Sequence, residues 1–267
     1  MSIASELSAL NGYILGAYDE INDKGGTVPA NKNMANLASA IASISGGGGG
    51  EGIPREVDAN GVYGIPTQIS TFSLPANATD IGAYALYYAF YGCTSLTSVN
   101  LSSLATVSGS SAFGEAFRGC TSLTSVNLSS LTTVSGNSAL SSVFMECTSL
   151  TSVNLSSLTT VSGNSTFGNT FNGCTSLTSV NFSSLTTISS SLALSSAFIN
   201  CTSLTSLSFP ALTASSFGRR TNQFNSMLNG CSNVTVHFPA AIQSTIGSWS
   251  SVTSGFGGTN TTVLFDL

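Results

Sequence analysis

Six cysteines, at Cys93, Cys120, Cys147, Cys174, Cys201 and Cys231, are separated by 27 residues four times and then by 30. A fixed period of this length marks a chain that coils into stacked, near-identical units. The letters around each cysteine repeat almost verbatim. Residues 119–136 read GCTSLTSVNLSSLTTVSG, and 92–109 and 146–163 each differ from that phrase at one position.

Aligned on the cysteines, the apolar residues fall into columns. Leu123, Val126, Leu128, Leu131 and Val134 follow Cys120, and L-x-x-V-x-L is the core of a short parallel strand whose alternate side chains turn inward. Before the cysteine the rhythm changes: Phe113 and Phe117 precede Cys120 as Leu140 and Phe144 precede Cys147, and Phe167 and Phe171 precede Cys174. Spacing i, i+3, i+4, i+7, with the cysteine last, predicts about two helical turns. The expected fold is an α/β repeat solenoid of the leucine-rich-repeat type, with short parallel strands, short helices and a concave strand face.

The chain divides by composition. Ile3, Leu7, Leu10, Ile14, Ala17 and Ile21 follow a heptad rhythm that Gly25, Gly26 and Pro29 interrupt and Met34, Leu37, Ile41 and Ile44 resume. Residues 1–45 therefore read as a small helical module, either a hairpin packed on itself or a docking and oligomerisation element. The Gly-rich stretch 46–52 reads as a tether with a reach of about 12 Å. The solenoid is expected over 53–238, with 53–85 as its N-terminal cap, where Leu74 and Ile81 enter the core columns. A C-terminal cap over 239–267 would begin with a helix in AAIQSTIGSW and close with a strand in TTVLFDL.

The A-F-x-x-C-T-S-L-T-S-V-x-L pattern resembles the bacterial BspA-like leucine-rich repeats, a cell-surface and host-associated group, over about residues 53–267. Two features depart from that family: Leu131 stands where Asn or Cys is usual, and the repeat is longer. The first 45 residues, with KGGTVPAN and the glycine run after it, resemble N-terminal segments of tail-associated proteins of gut phages and prophages. These resemblances imply a non-enzymatic binding or display protein, either a phage tail-associated receptor-binding protein on the virion or a bacterial cell-surface adhesin.

Charge narrows the partners. Only 6% of residues are charged and the net charge is −5, against about 25% charged in ordinary domains. No basic stripe exists for nucleic acid or for an anionic membrane, and no run of about 18 apolar residues could span a bilayer. The N-terminus has neither the basic nor the continuous apolar region of a signal peptide. The expected partner is a protein or a surface glycan on a host or bacterial cell, with virion or self-association through residues 1–45.

Candidate chemistry is sparse. One cysteine per coil offers neither the paired ligands of zinc nor a metal site of another kind, and the column suits a small buried hydrophobe. His237, the single histidine, is expected on the solvent side of the last strand, one coil from any unusual carboxylate, as an exposed capping residue. Glu115 and Glu146 fall in different columns and form no carboxylate pair. No catalytic residue, cofactor or metal ligand is expected. The outward strand positions, Ser98 and Asn100, Ser125 and Asn127, Ser152 and Asn154, Ser179 and Asn181, then Ser206 and Ser208, should stack as Ser and Asn ladders. Such ladders either hydrogen-bond to one another and stabilise the sheet or form a neutral binding face. A remoter reading, an ice- or crystal-binding hydroxyl array, conflicts with a concave sheet.

Overall fold

The computed structural model describes residues 70–74, 78–217 and 222–267. The helical module at 1–45, the tether at 46–52 and residues 53–69 of the N-terminal cap lie outside them. The described chain winds as a parallel β-solenoid of about 7 turns. Each coil contributes one residue to each column, because the period of the sequence is the period of the winding.

The expected strands form one sheet, in the order Thr71–Ser73, Ser98–Asn100, Ser125–Asn127, Ser152–Asn154 and Ser179–Asn181. Their register places Val99 beside Val126 and Val126 beside Val153, all buried. β-Branched valine suits this inward position because its stiff side chain packs well on a pleated surface. A second parallel sheet follows the first in each coil, through Asp80–Ile81, Thr106–Val107, Thr133–Val134, Thr160–Val161 and Thr187–Ile188. Val134 was legible as a core column. Its two-residue strand was not, because so short a strand carries no alternation to detect.

The expected repeat helices are replaced by ribbons of consecutive turns. Between Gly109 and Cys120, alternate amides bond differently. Those of Gly114, Ala116 and Arg118 donate three residues back within the coil, while those of Phe113, Glu115 and Phe117 donate to Ala139, Ser141 and Val143 of the next coil. Every fourth residue is left-handed, at Ser111 (φ 49°), Glu115 (φ 53°) and Gly119 (φ 72°). The reason is spacing. Parallel strands from successive coils stand about 4.8 Å apart, whereas an α-helix is about 10 Å wide. A four-residue turn repeat also sends residues i, i+3, i+4 and i+7 inward, so over two turns it mimics a helical stripe. Backbone bonds between coils therefore set the spacing on the turn side too.

The interior is built from continuous stacks. Phe90, Phe117, Phe144, Phe171 and Phe198 stack coil upon coil at centroid separations of 5.1, 5.8, 5.9 and 5.2 Å. A second stack runs through Phe182, Phe209, Phe238 and Phe265. Near-identical coils make this possible, since a side chain meets its own counterpart with the ring planes within 15° of parallel in the first stack. At the N-terminal end Ile81 is buried and Leu74 packs against the core as expected, with Phe72 opposite Val99. At the other end the expected helix is a 3-10 turn, Ala240–Ile242, running into one α-helical turn, Gln243–Ile246. The closing strand Thr262–Phe265 pairs with Thr235–Phe238, which pairs with Ser206–Ser208.

Candidate binding faces

The Ser and Asn positions stand in two in-register rows. Ser98, Ser125, Ser152 and Ser179 are neighbours along one row, and Asn100, Asn127, Asn154 and Asn181 along the next. All are exposed except the half-buried Ser98. Ser206 and the half-buried Ser208 continue the face into the last sheet, where Ser208 stands beside His237.

The asparagines do not bond to one another. Asn100, Asn127, Asn154 and Asn181 each turn Oδ1 back to accept the amide two residues on, at 3.1, 3.1, 3.0 and 2.9 Å. Each closes the turn that ends its strand, the local bonding for which short amide side chains are suited. A threonine row beside them uses its hydroxyls on backbone: Thr124 and Thr178 Oγ1 donate to the Thr97 and Thr151 carbonyls, each at 3.1 Å. The outward serine hydroxyls and the asparagine amino groups are thus the part of this face that faces solvent.

A second group of outward residues departs from the repeat. In the turn ribbon of the first full coil, Tyr84, Tyr87, Tyr88 and Tyr91 are 62%, 36%, 39% and 42% exposed. Later coils hold Ser, Gly, Asn, Glu, Arg or other residues in those columns. The Tyr88 hydroxyl donates to Glu115 Oε1 at 2.6 Å, and Arg118 donates to Glu115 Oε2 at 2.9 Å and to Glu146 Oε1 at 3.4 Å. The Arg118 guanidinium also lies 5.6 Å from the Tyr91 ring centroid, within cation–π range. The hydrogen bond to Glu115, aided by partial burial, pushes the Tyr88 phenol well above its ordinary range, and Glu115 likewise raises Arg118. Glu115 and Glu146, separate in sequence columns, are therefore bridged by one cation. Sequence reasoning missed the Tyr-rich run YALYYAFYG; its departure from the repeat columns was the available signal, and its charged partners sit one and two coils away.

The cysteine column is structural. All six cysteines are buried and none is in a disulfide, and Cys120, Cys147, Cys174, Cys201 and Cys231 each donate to the phenylalanine carbonyl of the preceding coil, as Cys147 does to Phe117 at 3.1 Å. Burial pushes the Cys93, Cys120 and Cys174 thiols up to about 12, the reverse of what a nucleophile needs. His237 is half-buried rather than exposed, its strand is followed by Thr262–Phe265 instead of being the last, and its Nδ1 lies 3.0 Å from Asp266 Oδ1. The pairing joins the strand Thr235–Phe238 to the residue just after the closing strand, 29 positions on, a separation the irregular last coil hides. Among the described residues no group of three or more His, Cys, Asp or Glu is arranged for a metal ion, and no helix is long and apolar enough to cross a membrane.

Stacked parallel strands, columns of inward Leu, Val, Phe and Cys, and polar outward rows define a leucine-rich-repeat scaffold. The chain belongs to the BspA-type leucine-rich-repeat family, whose model matches residues 60–170 and 114–235 in 6 copies. Proteins of this family and fold are typically non-enzymatic binding scaffolds at the surface or outside the cell. Among solved structures, the chain is similar to the leucine-rich-repeat protein of T. pallidum, at 21% identity over 72% of this chain and 86% of that one (TM-score 0.37). It is also similar to the pneumococcal vaccine antigen PcpA, at 15% identity over 78% and 47% (TM-score 0.43), and to a leucine-rich-repeat protein from Eubacterium ventriosum, at 22% over 52% and 39% (TM-score 0.33). A comparison with curated proteins finds no match.

Proposed function

We propose that the chain is a non-enzymatic adhesion scaffold displayed outside a cell, and that the Ser/Asn face contacts a protein or surface glycan of a host or bacterial cell. The observation that carries this reading is the pair of in-register rows from Ser98 to Asn181, whose serine hydroxyls and asparagine amino groups face solvent. Such a face offers the same hydrogen-bonding group at every coil, so a partner with repeated groups gains several weak contacts at once. The test is attachment of the labelled full chain to bacterial and epithelial cells, compared with a Ser125→Lys/Ser152→Lys variant. Both positions point outward, so the fold should persist while charge and bulk block the face. Undiminished attachment of the variant removes the ladder from the reading.

The setting is a bacterial cell surface, in keeping with the family. A virion setting draws on residues 1–45, and mass spectrometry of induced phage particles separates the two. A second reading, a crystal-binding array, draws on the in-register spacing of the outward serine hydroxyls. Lack of thermal hysteresis in a solution of the chain would dispose of it.

A further inference from the structure

We propose that the tyrosine cluster on the first turn ribbon is a second binding site, for a neutral oligosaccharide. It lies on the turn side of the coil and is independent of the Ser/Asn face. The fold does not call for these residues. Tyr84 and Tyr88 are left-handed, with φ of 57° and 58°, at positions where the next coils hold Ser111, Glu115, Ser138 and Ser142. A bulky side chain is a costly choice for that conformation, and strain of this kind gathers at functional positions.

The rings also stay wet. They cover little of the core and are the largest group of exposed aromatic residues among those described. The fold makes room for one of them. A Cβ at Gly114 would stand 2.7 Å from the Tyr87 ring, so glycine lets that ring lie against the next coil.

The arrangement selects a ligand class. Tyr87 meets Tyr84 and Tyr88 edge to face, at 5.7 and 4.5 Å between centroids, which leaves a platform rather than a cage around an empty centre. A quaternary ammonium needs the cage, and Arg118 already occupies the face of Tyr91. Arg118 is the sole Lys or Arg among the described residues, and it is shared between Glu115 and Glu146. The cluster is therefore net negative and repels acidic sugars and phosphate. Exposed rings offer stacking surface to the C–H face of a pyranose, while the carboxylates and phenols beside them accept and donate to its hydroxyls.

The experiment uses the full chain on a printed array of neutral and acidic oligosaccharides, followed by calorimetry with the strongest neutral binder, and with sialyllactose and choline as competing chemistries. One variant, Tyr84→Ser with Tyr91→Asn, takes residues that later coils hold in the same columns, and a second, Tyr88→Phe, keeps the ring and loses the hydroxyl. Binding of a neutral oligosaccharide, weakened about tenfold or more in the double variant and less in Tyr88→Phe, is the expected result. Ser125→Lys should leave it unchanged, which separates this site from the ladder. No neutral binder, a preference for sialyllactose or choline, or full affinity in the double variant would overturn the proposal. So would cell attachment that depends on the tyrosines yet survives enzymatic removal of glycans, which assigns the cluster to a protein.

Discussion

Cys147 donates its thiol hydrogen to the Phe117 carbonyl one coil earlier, at 3.1 Å, and the same carbonyl accepts the Cys120 amide at 3.2 Å. Both lone pairs of a buried carbonyl are thus used. Cysteine combines the small apolar volume the interior needs with a weak donor that reaches this oxygen. Repeated from coil to coil, the contact ties each turn ribbon to its neighbour.

The thiol column makes the fold sensitive to alkali. Burial raises the folded-state values of Cys93, Cys120 and Cys174 from 9.0 to about 12. Below pH 9 both states keep their protons and the stability is fully present. Above it the unfolded chain ionises first, so stability should fall between pH 9 and 12 by up to about 1.4 kcal/mol per pH unit for each thiol. Urea unfolding at pH 8 and pH 10.5 measures the loss, and Cys120→Ala should make it shallower. A midpoint independent of pH over that range would contradict the burial of the thiols.

Phe144 lies in the middle of the long phenylalanine stack and is 2% exposed. Phe144→Ala should cost about 3–5 kcal/mol through the cavity it leaves. Asn127→Ala removes one amide contact at the end of an exposed strand and should cost about 1 kcal/mol. Chemical denaturation of both variants compares them, and equal costs would mean that the inward and outward columns are exchanged.

Gly136 packs directly on the coil before it, and a Cβ there would run into the Gly109 carbonyl. Because the obstacle is backbone, tied to the coil before it by the Gly109 amide's bond to the Ile81 carbonyl, it cannot turn aside as a side chain could. Gly136→Ala should destabilise by about 1–3 kcal/mol or more, read as a lowered melting midpoint. Ser190 occupies the equivalent position later in the chain and instead bonds to the Gly163 carbonyl at 2.6 Å, so the close contact belongs to the earlier coils.

Glu146 is left-handed, with φ of 63°, in the column where Gly92, Gly119 and Gly173 stand. Glycine takes that conformation without penalty, whereas other residues lose roughly 1–2 kcal/mol. The ion pair of Glu146 with Arg118 is long, at 3.4 Å, and half exposed, and contributes less than about 1 kcal/mol. Glu146→Gly should therefore raise stability by about 1 kcal/mol. An unchanged or lowered melting midpoint would give the ion pair more weight than its geometry suggests.

Much of the solenoid could be read from the letters alone. Leu123, Val126, Leu128, Leu131, Phe117 and Cys120 were legible as core because identical coils in register repeat each inward position at the same interval. The outward placement of Ser125 and Asn127 followed from strand alternation. The turn ribbon was not legible, because a four-residue turn and a 3.6-residue helix send the same few residues inward over so short a segment. Strand spacing, a property of the stack, decides between them. The asparagine amides close turns instead of bonding to one another because the amide two residues on is nearer in geometry than the next coil's side chain.

Single coils determine the core of this protein, and their stacking determines its surface. Tyr88 meets Glu115, Arg118 meets Glu146, and His237 meets Asp266 only because winding sets residues roughly one period apart side by side. Sequence alone displays those side chains as isolated exceptions to a neutral repeat. Backbone hydrogen bonds between coils bring them within reach of one another, and that proximity creates the one cluster of aromatic and charged groups on the described surface.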